Sequence, residues 1–336
     1  MQALRLAAVF AVAAIHPTVS IAAPLTGFTE TTLVTSAKDS DLVNPWGISF
    51  SATSPFWISD NGTGKATLYN SAGVKQGLVV SMPVGSEPIT GQVFNGTGSF
   101  NSDLFLFASE NGTIAGWRGA LGTTAEQLFS VAGASYKGLA INNAKDTLFA
   151  ADFVTGAIDA FSSSGLTGSF LDPTLPAGFA PFNIQNLGID DAPGPGNGFV
   201  DRFDPVTHTF TRVISNGPLN SPWGIALAPA GFGAAGGALL VGNFGDGLIN
   251  AFHTDGAFIG TLADTSGAAL MNDGLWTLTF GNGGNGGSPG SLYITAGPND
   301  ESAGIFARID APEPATLLYS LGGLALLLVR RRAARS

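Results

Sequence analysis

One motif returns along the chain at nearly constant intervals, and that periodicity limits the fold more than any other feature. Two copies are plain, "NPWGISF" at residues 44–50 and "SPWGIAL" at residues 221–227. Weaker copies are "ITGQVF" (89–94), "YKGLAI" (136–141), "PFNIQNL" (181–187) and "GLWTLTF" (274–280). Aligned on Gly47, Gly91, Gly138, Asn183, Gly224 and Thr277, the copies lie 44, 47, 45, 41 and 53 residues apart. A repeat of that length is one four-stranded propeller blade. A β-sandwich does not account for such self-similarity, and a β-helix repeats on a shorter period. The pattern predicts an all-β fold, a six-bladed β-propeller over residues 23–311.

A second element follows most copies: an apolar strand, an acidic or amide turn, and a strand ending in an aromatic. "FWISDNGTGKATLY" (56–69), "LFLFASENGTIAGW" (104–117), "LFAADFVTGAIDAF" (148–161) and "LLVGNFGDGLINAF" (239–252) are four instances. "LYITAGPNDESAGIFARI" (292–309) is a fifth. These runs have the β-branched and aromatic content and the Asn-Gly or Gly-Asp punctuation of hairpins. The fourth repeat keeps only "NGFVDRF" (197–203), and "DDAPGPG" (190–196) is expected to protrude as a loop. The motif strand is expected to be innermost in each blade, where a small residue lets six strands converge on the axis.

Composition narrows the chemistry. There is no cysteine, which excludes disulfides, thiolate metal sites and a cysteine nucleophile. Charged residues are 11% of the chain and the net charge is −10. Without Arg5, the four C-terminal arginines and Glu313, the body holds 9 basic and 23 acidic residues, a net of −14. Such a surface repels phosphate backbones, so nucleic acid is not an expected partner.

Few residues suggest catalysis. His208 and His253 lie near strand ends at non-equivalent repeat positions and are expected on turns. "GGSPG" (286–290) matches a nucleophile-elbow pattern but lacks the strand-to-helix context that the elbow requires. No βαβ unit surrounds the G-x-G-x-x-G match at residues 281–286. The better candidates are amides and carboxylates before the innermost strands or after the second ones. Asn44, Asn183, Asn220 and Asp273 are the expected quartet at one channel mouth, beside Asn186, Asn272, Asp60, Glu110 and Asp152. Hard oxygen ligands of this kind suit Ca²⁺ or Mg²⁺. Six-bladed lactonases place a divalent cation at the channel in a similar manner, and Asn and Asp equally cap turns without any metal. The acidic run Asn299-Asp300-Glu301 is expected to be a solvated loop. Trp46, Trp223 and Trp276 share one repeat position, which suits packing between blades or stacking on sugar rings. Two functions remain: a binding or structural module, or a cation-dependent lactonase- or esterase-like hydrolase using the central channel.

The two ends read as targeting segments. Arg5 followed by an apolar stretch and by Ser20-Ile21-Ala22 reads as a secretory signal peptide over residues 1–22. At the other end Pro312-Glu313-Pro314 precedes an apolar run, residues 315–329, which ends in Arg330-Arg331-Arg332. At 1.5 Å per residue this run spans roughly 22 Å, short of a ~30 Å hydrocarbon core. The arrangement of residues 312–336 resembles the PEP-CTERM sorting signal. The resemblance implies an exported protein of a Gram-negative bacterium, transiently anchored at the inner membrane through residues 315–329 and cut by an exosortase. It further implies placement in the periplasm, at the cell surface or in an exopolysaccharide matrix, with polysaccharide or surface proteins as partners. "LVNPWGISF", "FWISDNGTG", "GNGFVDRFD" and "LNSPWGIALAPAGFG", with other stretches between residues 31 and 309, also look like an uncharacterised bacterial family of propellers that often carries this tail. That resemblance implies fold and export, and no reaction.

Overall fold

A computed structural model describes residues 22–312 apart from 177, 186, 192–193 and 195. For residues 185 and 187–191 it describes the backbone alone. The expected signal peptide (1–22) and sorting signal (312–336), with the span 315–329, lie outside the described residues except for residues 22 and 312. Among the described residues no helix is long and apolar enough to cross a membrane.

The described strands form six four-stranded antiparallel sheets, and the fold is a β-propeller. The innermost strands are Pro45–Ser49, Ile89–Phe94, Tyr136–Ile141, Ala180–Gln185, Pro222–Leu227 and Leu275–Phe280. Each contacts the next, and the last contacts the first, so they enclose an axis. The first five sheets run outward in chain order. The sixth consists of Leu275–Phe280, Ser291–Ala296 and Ile305–Asp310, completed by the N-terminal strand Thr29–Thr35. The fourth sheet departs from the sequence expectation. Leu187–Asp191 is its second strand, so the chain leaves the sheet only after Asp191.

Small residues in the innermost strands do what the repeat predicts. A Cβ on Gly91 would lie 2.4 Å from the Leu139 nitrogen, and one on Gly224 would lie 2.4 Å from the Trp276 oxygen. Neighbouring backbones therefore touch at this level, and only glycine fits. Where the repeat departs from glycine, the side chain bonds the neighbouring strand instead. Asn183 donates to the Trp223 carbonyl at 2.8 Å and Thr277 to the Trp46 carbonyl at 2.5 Å. Every innermost strand also has an irregularity against its second strand at this point. Such a bulge bends the strand and re-aims its side chains.

The core lies between sheets. Trp57, Leu68 and Val80 of the first sheet pack with Ile89, Phe107 and Trp117 of the second. Ile114 and Leu106 of the second pack with Tyr136, Leu148 and Phe161 of the third. An isolated four-stranded sheet has two apolar faces to cover, and the ring covers both.

Candidate functional site

The innermost strands enter the ring at one mouth and leave it at the other. Turns after the second strands return to the first mouth, because Asp60 pairs with Pro45 and Ser109 with Ile89. Residues before the innermost strands and after the second strands thus gather there.

Asn44 organises this rim. It sits at φ +46°, a left-handed conformation that Asn tolerates better than most residues. Its Nδ2 donates to Glu301 Oε2 at 2.5 Å and to Asn61 Oδ1 at 3.2 Å, while its Oδ1 accepts from Trp276 Nε1 at 2.8 Å. Asn61 donates onward to the Ile89 carbonyl at 3.0 Å and to Glu110 Oε2 at 3.4 Å. Glu110 pairs with the Lys137 ammonium, which stands 5.4 Å from the Trp46 ring centre and 5.6 Å from that of Phe153. The rim is therefore one continuous polar chain across the first, second, third and sixth sheets.

Burial pushes the Glu301 carboxyl above its usual range, and the Asn44 hydrogen bond only partly opposes it. Glu301 ends three consecutive residues, with Asn299 and Asp300, at φ +59°, +52° and +62°. Left-handed non-glycine residues are costly and mark segments that their surroundings hold in place. Here the Asn299 N–H donates to Asp273 Oδ2 at 3.1 Å. Asn299 and Asp300 are exposed, as expected of a solvated loop, whereas Glu301 is half-buried and reaches Asn44.

Below the rim the channel is filled. Trp46 and Trp276 stack with ring centres 4.0 Å apart, and Trp223 and Phe182 close on them edge-on at 6.2 and 6.0 Å from Trp46. Phe244 covers Trp276 at 4.3 Å. Trp46, Trp223 and Trp276 are 3%, 2% and 0% exposed, so their faces are spent on one another and none is presented to a sugar. The exposed aromatic of the rim is Phe153, 38% accessible, beside Val154. Beyond the plug, toward the other mouth, lies a hollow of about 510 Å³.

The expected quartet does not assemble. Asn183 lines the hollow beyond the plug, which Asn44, Asn220 and Asp273 do not reach. Asn220 Oδ1 accepts the Gly194 N–H at 2.9 Å, and Asp273 is exposed. Each is committed elsewhere, so the four do not form a donor set for Ca²⁺ or Mg²⁺. Among the described residues no group of three or more His, Asp or Glu is placed to hold a metal. Asp152 accepts the Ser135 and Val154 N–H groups, and the buried Asp60 accepts from Thr67 Oγ1 at 2.6 Å. Asn272 donates to Glu30, and Asn186 lies outside the described residues. His208 stacks on Phe170 at 4.1 Å, and the His253 backbone closes a turn with Ala257. Both lie in the turn between the third and fourth strands of neighbouring sheets, equivalent positions rather than the non-equivalent ones expected from the repeat. Ser288 accepts the Gly290 N–H within a tight loop.

Lys137 and Phe153 carry no motif of their own. The one sequence signal for Lys137 is its register: it occupies the Trp46 position of the third repeat, where a lysine interrupts otherwise apolar or small residues.

No protein-family model matches the chain. An uncharacterised protein of Acanthamoeba polyphaga mimivirus is 33% identical over 279 residues, covering 70% of this chain and 68% of the relative. A second from the same virus is 31% identical over 278 residues, covering 70% and 73%. These relatives are viral, which corrects the expected membership of a bacterial PEP-CTERM family. Among solved structures, a streptogramin B lyase superposes with a TM-score of 0.55 at 13% identity, covering 84% of this chain and 97% of that one. A luciferin-regenerating enzyme gives 0.54 at 13% identity, covering 85% and 96%. At such identities the likeness is one of fold.

Proposed function

The chain belongs to the family of these uncharacterised mimivirus proteins, and on that premise we propose that it is a binding module, a six-bladed propeller that holds a polyhydroxylated, glycan-class ligand at the rim. Fold alone does not choose between binding and catalysis, since lyases and other enzymes share the propeller. The observation that carries the proposal is Phe153, an accessible ring 5.6 Å from the Lys137 ammonium, which pairs with Glu110 at the end of the polar chain that runs through Asn61 and Asn44 to Glu301. An apolar face for the ring of a sugar, next to donors and acceptors for its hydroxyls, is the combination such ligands need. The aromatic plug gives the rim a rigid floor, so little ordering accompanies binding.

A glycan array probed with the protein tests this directly, with calorimetry on each hit. Phe153→Ala should weaken a true hit by about tenfold and leave the melting temperature unchanged. Binding should persist in a chelator. An array without hits, or hits indifferent to Phe153→Ala, would overturn the proposal.

A further inference from the structure

The hollow beyond the plug is a separate feature with its own electrostatics. At about 510 Å³ it lies within the size range of small-molecule sites. Val93, Phe94, Leu227 and Phe280 line it together with the polar Gln92, Asn183, Thr277 and Thr279, while the nearby Leu139, Ile225 and Leu278 are buried in the cores between sheets. The chain is strongly acidic, yet no carboxylate is among the described lining residues. The single charged group there is Lys145.

Lys145 is held at the opening by a rigid turn. Its φ is +59°, and its N–H donates to the Asn142 carbonyl at 3.0 Å. Asn142 Oδ1 accepts the Asp146 and Thr147 N–H groups, and Thr97 Oγ1 donates to the Lys145 carbonyl at 3.3 Å. The adjacent Asp146 carboxylate is engaged by Asn142 Nδ2 at 2.7 Å and Thr147 Oγ1 at 3.1 Å. Among the described residues Lys145, like Lys38, has no ion-pair partner, whereas Lys65, Lys75 and Lys137 are paired. Partial burial also pulls its ammonium below the usual lysine range. A half-desolvated cation at the lip of a cavity that holds apolar as well as neutral polar groups and no carboxylate gains by meeting an anion.

We propose that this hollow binds an amphipathic monocarboxylate, with its apolar body between the innermost strands and its carboxylate against Lys145. The lining stretch from Gly47 to Phe50 gives a depth of roughly 10 Å. That suits an acyl chain of about eight carbons. This site is independent of the rim, because the aromatic plug separates the two.

Calorimetric titration of the full chain with octanoate, octanol and octylammonium tests the proposal. Octanoate should bind about fivefold tighter than octanol, the upper range for a partly exposed ion pair, and octylammonium should bind most weakly. Lys145→Glu lies in a surface turn that does not depend on the ammonium, and it should reverse the order of octanoate and octylammonium. Thr279→Phe, at a half-buried residue of the lining, should crowd the hollow and abolish binding of octanoate while the thermal melt shows the variant folded. Phe153→Ala at the rim should leave octanoate binding intact. Equal affinity for the three ligands, no binding, or an unchanged order in Lys145→Glu would each overturn it.

Discussion

At Gly138 a single methyl group has nowhere to go. Its Cβ would stand 2.1 Å from Asn183 Oδ1 and 2.4 Å from the Ile184 nitrogen, and the second of these is backbone. Gly138→Ala should therefore cost about 1–3 kcal/mol, the range for overpacking a rigid site. Gly77, in an outer strand with open space around its Cα, should accept alanine with little change. Urea melts of the two variants make the comparison. This requirement is why the repeat could be read at all. Glycine at 47, 91, 138 and 224 leaves a periodic mark, and Asn183 and Thr277 break it because they hydrogen-bond across the same gap. Asp103 left no such mark. Its carboxyl is fully covered, bonded to Arg118 at 2.8 Å, and pushed up to about 6, chiefly by burial. A carboxyl that binds its proton more tightly when folded adds stability below its unfolded pKa, and loses it as pH rises through 6. Lowering the pH from 7 to 5 should thus stabilise the wild type relative to Asp103→Asn by on the order of 1 kcal/mol. Thermal melts across that interval check the sign, and a constant difference would contradict it.

The innermost strands are the elements on which site and stability meet. Their bulges turn Trp46, Phe182, Trp223 and Trp276 toward the axis, and the plug that results belongs to no single strand. Its members are 41 residues or more apart in sequence, so their shared register was visible while their mutual stacking was not. The same holds for the rim. Asn44 was a candidate from its place before a strand, but its partner Glu301 is 257 residues away. Only closure of the ring brings the two together. Trp276→Ala should cost about 3–5 kcal/mol, because it empties the plug and leaves Asn44 Oδ1 without its donor. Trp276→Phe keeps most of the packing and loses only the hydrogen bond, so it should cost roughly 0.5–1.5 kcal/mol. Denaturant midpoints should rank the variants in that order. If the two were equally destabilised, the hydrogen bond and not the packing would be holding the plug.

For the whole molecule the decisive contact is between its two ends. The six-fold repeat specified the blades, but it gave no sign of how the ring is closed, because the closing strand Thr29–Thr35 carries no repeat motif. Its alternation places Val34 inward, 2% exposed, in a cluster with Phe306, Tyr293, Phe56 and Tyr69. The strand pairs with Ile305–Asp310 from Thr29↔Asp310 to Thr35↔Ile305. It thus ties the sixth sheet to the first and covers a sheet edge that would otherwise be open. Deleting residues 22–35 should expose the Ile305–Asp310 edge and the face of Phe306 together. An unpaired apolar edge is a template for association. The truncated chain should melt at least about 10 °C lower than the wild type and elute from size exclusion as larger species. Val34→Ala, which leaves the ladder in place, should lower stability by about 1–3 kcal/mol and keep the protein monodisperse. If the deletion were to melt like Val34→Ala and remain monodisperse, the ring would be held by contacts between neighbouring sheets alone, and the clasp would be dispensable.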